Sequence, residues 1–172
     1  MIRKATAADI ESAAEIYAKI HTEEEQGRMQ IGWDRAIYPT KQTAVDAVER
    51  GDLFVEEADG KIVAAAILNQ IQVPEYADCS WEFDAEDDEV MVLHTLVVNP
   101  EQSGHGYAGA FIRYYQEYAL ANGCHYLRID TNAKNQTARK MYAKYGFKEP
   151  GIVDCVFNGI AGVKLVCLEK KI

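Results

Sequence analysis

Two proton-exchanging side chains, His94 and Tyr142, stand on either side of a glycine-rich segment, Gly104–Gly109. The segment reads Gly-His-Gly-Tyr-Ala-Gly and follows an apolar run that ends at Val98. The first N–H groups of a helix lack partners within the helix and carry partial positive charge. Glycines let a phosphate approach such N–H groups closely, so the segment predicts an anion-binding turn where a strand leads into a helix.

The same glycines allow two other interpretations. They could serve only to turn the chain, or they could form the dinucleotide fingerprint G-x-G-x-x-G, with Asp130 as a ribose-binding acid. The loop Asn99–Ser103, however, separates the apolar run from the glycines, whereas a dinucleotide turn follows its strand directly. The late position of the motif and the mixed strand order also argue against a doubly wound parallel sheet.

The elements that must position these residues follow from hydrophobic periodicity and turn residues. The predicted strands are 2–5, 53–58, 61–70, 90–98, 125–131, 147–155 and 163–170, and Asp59-Gly60 predicts a tight hairpin turn. Helices are predicted after Thr6, from Thr40 to Gly51, from the glycine-rich segment to Gly123, and from Asn135 to Gly146. Stretches 21–39 and 74–88 are expected to be irregular. This order indicates a mixed sheet with helices on both faces, in a single domain spanning residues 1–172.

Composition and charge limit the partners. A chain of 172 residues can bury the core of one domain. The net charge of −9 argues against nucleic acid and anionic membranes, and mildly favours a cationic acceptor. No apolar stretch reaches the length of a membrane span, and the N-terminus does not read as a signal peptide. The four widely spaced cysteines suggest neither a zinc site nor a disulfide framework, so we expect a cytoplasmic protein without a metal.

Three motifs resemble those of the GNAT superfamily of acyl-CoA N-acyltransferases, and the resemblance is strongest from Val90 to Phe147. Leu96-Val97-Val98-Asn99-Pro100 resembles the family strand that ends in a hydrophobic triplet, a variable residue and proline. Ser103-Gly104-His105-Gly106-Tyr107-Ala108 resembles the pyrophosphate motif, although the family usually has Gln or Arg where Ser103 stands. Asn135-x-x-Ala138-x-x-Met141-Tyr142-x-x-x-Gly146-Phe147 resembles the second family signature.

The resemblance implies an α/β (α+β) fold with a mixed, mostly antiparallel central sheet of about seven strands, flanked by helices on both faces. It implies an acetyl-CoA-dependent N-acetyltransferase, with acetyl-CoA as co-substrate and a small-molecule or peptide amine as acceptor; family members often form homodimers. The cofactor-binding residues would be Leu96, Val97, Val98, Ser103, Gly104, His105, Gly106, Tyr107, Ala108, Gly109 and Asn135. A catalytically silent acyl-CoA-binding sensor or partner module remains an alternative.

The chemistry that the family implies needs three kinds of group. An amine with a pKa of roughly 10 must lose a proton to a base, and the carbonyl oxygen needs preorganised donors. Backbone N–H groups along Leu96–Val98 can be those donors if the strand separates from its neighbour there. Tyr142 stands at the family's general-acid position, where it would protonate the leaving thiolate; a core tyrosine is the alternative.

His94 is the candidate base, because histidine titrates near neutral pH. It precedes Leu96 by two residues, so we expect both side chains on one face of the strand. A buried histidine satisfied by a neighbour is the alternative. Many family members place a glutamate in this strand where this chain has Val92, and Glu89 is a reserve candidate that would act through water.

Aromatic residues mark the two irregular stretches. Trp33, Tyr38 and Trp81, together with Tyr76, lie in segments that the resemblance places near the acceptor entrance. We therefore expect Trp33, Tyr38 and Trp81 to contact the substrate. The alternative is that these rings pin long loops to the core.

Overall fold

Seven strands form one mixed sheet in the computed structural model, which describes residues 1–172. The strands are β1 Ile2–Lys4, β2 Leu53–Ala58, β3 Lys61–Asn69, β4 Val90–Val98, β5 Tyr126–Asn132, β6 Lys148–Phe157 and β7 Ile160–Lys171. Their order across the sheet is β1-β2-β3-β4-β5-β7-β6. Every neighbouring pair is antiparallel except β4 and β5, which are parallel. The predicted fold class is confirmed.

Helices cover both faces of this sheet. They are α1 Ile10–Glu25, α2 Lys41–Arg50, α3 Tyr107–Ala121 and α4 Gln136–Lys144, with short 3-10 turns at Ala7–Asp9, Pro74–Asp78, Asp87–Glu89 and Pro100–Gln102. Phe54 of β2 points into a core shared with α3 and α4, while the next residue, Val55, points into a core shared with α1 and α2. No helix is both long enough and apolar enough to span a membrane.

Helix α1 and the β6–β7 hairpin extend further than the sequence-based expectation. Helix α1 continues to Glu25 through residues that we expected to be irregular, because its apolar face extends to the buried His21 and the three glutamates that follow are good helix formers. Strands β6 and β7 extend towards each other and meet at Asn158-Gly159, where both residues have positive φ. This Asn-Gly pair is a strong hairpin signal that the prediction overlooked, whereas the predicted Asp59-Gly60 turn is present.

Candidate active site

A gap opens between the two parallel strands at the centre of the sheet. Strand β4 pairs with β5 only over Val90–Leu93, although β4 continues along β3 to Val98 and β5 continues along β7 to Asn132. The Asn99 N–H group donates to the Val63 carbonyl on β3 at 2.8 Å. Backbone groups alternate along a strand, so the N–H groups of Val98 and Leu96 face the opposite side, into the gap. We call this opening the β4–β5 gap.

A β-bulge at Thr95 changes which residues share a face of β4. Thr95 has a φ of 51°, and the register shifts between the Ile67–His94 and Ala65–Val97 pairs. As a result His94 lies on the α1–α2 face, with Val97, whereas Leu96 packs against the α3 core. The expectation that His94 and Leu96 share a face is therefore wrong, because a bulge inverts the alternation that the expectation assumed.

The glycine-rich turn at the mouth of the gap has a run of unpaired backbone donors. Ser103 donates its N–H to the Pro100 carbonyl, and Ala110 begins the helical ladder by donating to Gly106. No carbonyl in the protein accepts a hydrogen bond from the six N–H groups of Gly104–Gly109. Gly104, His105 and Gly106 are exposed to solvent, and unpaired N–H groups at a helix N-terminus have the chemistry of an anion site.

Two glycines shape this turn and a third has another purpose. Gly104 and Gly106 have φ values of 82° and 83°, and a Cβ atom at either position would meet nothing within 4 Å. The open space is what a phosphate group would need. A Cβ at Gly109 would instead overlap the Tyr145 hydroxyl, so Gly109 is required for the packing of α3 against the end of α4. His105 lies in the turn, with its ring stacked on Tyr107 at 5.8 Å between centroids.

The second signature positions Asn135 and Tyr142 on α4. The Asn135 side chain accepts a hydrogen bond from the Ala138 N–H at 3.1 Å, so it caps the helix as predicted. Tyr142 is only 5% exposed and contacts Phe147 edge-to-face, with 5.9 Å between ring centroids. Burial, helped by the nearby Asp130, raises the pKa of Tyr142, so its hydroxyl keeps its proton at neutral pH.

His94 belongs to a hydrogen-bond network on the α1–α2 face of β4. Its Nε2 lies 3.0 Å from Asn69 Oδ1, which also accepts from the Ile71 N–H, while Asn69 Nδ2 donates to Asp52. These two contacts fix the orientation of the amide, so His94 Nε2 must carry the proton that it shares with Asn69. Asp52 in turn pairs with Arg50. Burial lowers the pKa of His94 to about 4, which makes it a weak base.

We expect the His94 imidazole to stay neutral from pH 8 down to about pH 5, because burial opposes its charged form. Proton NMR titration of the four histidines, with His94 assigned by its loss in His94→Gln, measures this directly. A His94 titration midpoint between 6 and 7 would contradict the expectation.

Asp130 is a residue of this region that the sequence suggested only as the ribose-binding acid of the dinucleotide alternative. It lies on β5 just beyond Ile129, where pairing with β4 ends, and is half-buried. The Tyr76 hydroxyl donates to its Oδ2 at 2.7 Å. Burial raises the pKa of Asp130 to about 6. The only feature of the sequence that pointed to Asp130 was an acidic residue near the end of an apolar strand. Its partner Tyr76 lies 54 residues earlier in the chain.

The predicted acceptor aromatics fall into two places. Trp33 and Tyr38 meet edge-to-face with 6.0 Å between centroids, and the Tyr38 hydroxyl bonds the Thr95 hydroxyl at the bulge. Trp81 is elsewhere: it packs on Tyr76 and over the Arg128 guanidinium, 4.1 Å from the ring centroid. Tyr38 thus lies at the gap, and Trp81 joins the loop before β4 to Arg128 of β5.

The reserve base Glu89 lies at the closed end of β4. Its side chain accepts from the Glu86 N–H and caps the turn that precedes the strand. A strand rises about 3.3 Å per residue, so Glu89 stands roughly 16 Å along the strand from His94. Glu89 is therefore remote from the β4–β5 gap.

Comparisons with known proteins agree with this geometry. The family model of the acetyltransferase (GNAT) family matches residues 11–147. An N-acetyltransferase of Methanocaldococcus jannaschii, described as uncharacterized, is 27% identical over 158 residues; the match covers 88% of this chain and 62% of that protein. A GNAT-family acetyltransferase from Streptococcus agalactiae superposes with a TM-score of 0.78 at 21% identity, covering 100% of this chain and 95% of the other. The yncA protein of Salmonella typhimurium, solved with its cofactor acetyl-CoA, superposes with a TM-score of 0.70 at 16% identity, covering 99% and 92%.

Proposed function

Because the chain belongs to the acetyltransferase (GNAT) family, we propose that it transfers the acetyl group of acetyl-CoA directly to a primary amine. The observation that carries the proposal is the run of six unpaired N–H groups, Gly104–Gly109, at the mouth of the β4–β5 gap. This arrangement suits a ligand with a pyrophosphate and a long arm that enters the sheet. The chain spans 62% of the length of its archaeal relative, so the proposal concerns the activity of this domain.

We propose that the protein holds acetyl-CoA through backbone groups. The unpaired N–H groups from Gly104 to Ala108 would bind the pyrophosphate, with Ser103 and Gly109 flanking them, and Leu96–Val98 would bind the arm along β4. Backbone donors do not depend on the side chain at position 103, so Ser103 can replace the usual Gln or Arg. Asn135, which already caps α4, has a free amide N–H₂ group for the same arm. The co-substrate supplies an acetyl group activated as a thioester.

The residues of the gap suit the remaining steps of the reaction. The N–H groups of Leu96 and Val98 face the gap and can stabilise the negative charge that develops on the carbonyl oxygen. Tyr142 keeps its proton at neutral pH and can give it to the departing thiolate. Trp33 and Tyr38 would line the entrance for the amine. His94 stays in this proposal as a residue of the acceptor side, with a pKa that makes it a poor proton acceptor.

The acceptor is proposed only as a class, a small-molecule or peptide amine. A cytoplasmic location and a homodimer stay predictions. Release of the coenzyme thiol, measured against a panel of primary amines, tests the activity. A wild-type protein that binds acetyl-CoA but transfers to no amine would instead be a silent acyl-CoA-binding module.

We expect acetyl-CoA to raise the melting temperature and NAD or FAD to leave it unchanged. A ligand at about a hundred times its dissociation constant stabilises the folded state by roughly 2.7 kcal/mol, which is several degrees for a chain of this size. Thermal unfolding with each cofactor at matched concentration is the measurement, with desulfo-coenzyme A as a control for binding without the thiol. A shift with NAD and none with acetyl-CoA would refute the assignment.

A further inference from the structure

Asp130 lies in the wall of the β4–β5 gap with half of its hydrogen-bonding capacity unused. It follows Ile129, the last residue of β5 that pairs with β4, and on its other side it pairs with Cys167 of β7. The Tyr76 hydroxyl bonds Oδ2 at 2.7 Å, and no protein group bonds Oδ1. The carboxylate keeps some contact with solvent although protein surrounds it. A ligand in the gap could therefore reach its free oxygen.

No positive charge balances this carboxylate. The titratable groups that influence its charge are neutral or acidic: Tyr38, Glu75, Tyr76, Tyr142, Cys155 and Cys167. Arg128, two residues earlier on β5, donates instead to the Gln72 side chain and to the Phe83 carbonyl. None of the ten ion pairs of the protein includes Asp130. Arg50, which influences Tyr38 and His94, is engaged by Asp52. An uncompensated carboxylate in a desolvated place is costly, so its presence points to a cationic ligand.

We propose that Asp130, positioned by Tyr76, binds the acceptor as its ammonium ion and then accepts the proton that makes it a nucleophile. This inference rests on the proposed acetyl transfer and adds the residue that performs the deprotonation. Asp130 is a catalytic residue in this account, because it touches the acceptor nitrogen. Tyr76 is a positioning residue that acts through Asp130.

Deprotonation by Asp130 conserves protons and electrons through the whole acetyl transfer. One ammonium proton moves to the free oxygen of Asp130, and the nitrogen lone pair forms the C–N bond with the acetyl carbon. The C–S bond breaks, its electron pair stays on sulfur, and the thiolate takes a proton from Tyr142. The new amide nitrogen loses its second proton, which returns to Tyr142. Asp130 releases its proton to solvent, so one proton is produced for each acetyl group transferred.

Three properties favour Asp130 over His94 for this task. An anionic base attracts the ammonium before it deprotonates it, whereas a neutral imidazole does not. The pKa of Asp130 lies near 6, closer to the working pH of a general base than the value of about 4 at His94. His94 is also committed through Nε2 to Asn69.

The decisive variant is Asp130→Asn, which preserves shape and can still accept from Tyr76. With benzylamine, putrescine and a lysine-containing peptide as probe acceptors, we expect kcat/KM to fall about 10²-fold or more at pH 7.5. The loss should shrink as pH rises, because solvent then deprotonates the amine. The matched control is Asp154→Asn, which removes the same charge from an exposed position on β6 and should change kcat/KM by less than about twofold.

Stability gives an independent readout of the same variant. The folded pKa of about 6 exceeds the ordinary value of 3.8, so the folded protein loses stability as pH rises through this window. Above pH 6 the ionised Asp130 therefore destabilises the fold. We expect Asp130→Asn to melt at a higher temperature than wild type at pH 8, while acetyl-CoA affinity stays unchanged.

Tyr76→Phe separates positioning from packing. The Tyr76 hydrogen bond lowers the pKa of Asp130, so its loss should raise that pKa and move the acidic limb of the kcat/KM profile to higher pH. The plateau above the limb should stay within a few-fold of wild type. If Tyr76 only packs its loop against the core, the acidic limb of the Tyr76→Phe profile stays at the same pH as in wild type.

These experiments distinguish failure of the proposed role of Asp130 from failure of the proposed acetyltransferase activity. If wild type acetylates an amine and Asp130→Asn does so with equal kcat/KM and the same acidic limb, the inference is wrong and the acetyltransferase stands. If wild type binds acetyl-CoA but acetylates none of the amines, both fail. A ¹³C titration of the Asp130 carboxyl with a midpoint near 4 would also overturn the inference.

Discussion

Gly106→Val should abolish acetyl-CoA binding at concentrations that saturate wild type, with an increase of about 10²-fold or more in the dissociation constant. Gly106 is the N-cap residue of α3 with a φ of 83°, and the space beside its Cα is empty. A valine would fill that space and also pull the backbone out of the left-handed region. Losing two charge-assisted hydrogen bonds at about 1.5–3 kcal/mol each accounts for the size of the effect. Isothermal calorimetry with acetyl-CoA measures it.

A matched control exists at the other end of the same helix. Gly123 follows α3 with a φ of 76° and also has nothing within 4 Å of a Cβ atom, so Gly123→Val carries similar backbone strain. We expect both variants to lose about 1–3 kcal/mol of stability and only Gly106→Val to lose the ligand. If folded Gly106→Val binds normally, or if both variants bind equally poorly, the anion site does not lie in this turn.

Local chemistry explains why β4, the glycine-rich turn and the cap of α4 could be predicted. Strand β4 was predicted with the bounds Val90–Val98 that it has, because it is an apolar run between an acidic loop and a proline. The cap at Asn135 and the glycines of the turn follow from backbone rules that act over four or five residues. Tyr142 follows from the helical spacing of the second family signature, which begins at Asn135. No long-range contact is needed to locate any of these residues.

The acceptor side depends on contacts that no local rule contains. The bulge at Thr95 places His94 on the face of β4 opposite to Leu96. The sequence around Thr95 is an apolar run with one threonine, and such a run does not indicate where a strand will contain a bulge. Asp130 and Tyr76 are 54 residues apart and meet only because β3, β4 and β5 are neighbours. Trp81 packs over the Arg128 guanidinium of β5, a contact between residues that are far apart in the sequence. Contacts between residues so distant in the sequence can be identified only in the folded sheet.

Tyr142→Phe should lower the turnover number about 10²-fold and leave acetyl-CoA affinity nearly unchanged. The phenol is the proposed acid for the thiolate, and general-acid contributions are typically ~10²–10⁴-fold. A thiolate of pKa roughly 8.5 is already a fair leaving group, so we expect the low end of that range. An interaction made chiefly in the transition state lowers kcat and kcat/KM together, and steady-state kinetics on folded protein would show this.

The packing around Tyr142 makes this substitution a clean test. Its hydroxyl bonds no group of the protein, whereas its ring contacts Phe147 and would keep that contact as phenylalanine. Removing the oxygen leaves no buried partner unsatisfied, so the melting temperature should hardly change. Tyr115→Phe is the reference for a structural tyrosine, because its hydroxyl reaches the carbonyls of Met91 and Arg128 at 2.6 and 3.1 Å. That variant should lose about 1–3 kcal/mol of stability. If Tyr142→Phe instead loses stability in the manner of Tyr115→Phe and turns over at the wild-type rate, Tyr142 is a core residue and another group protonates the thiolate.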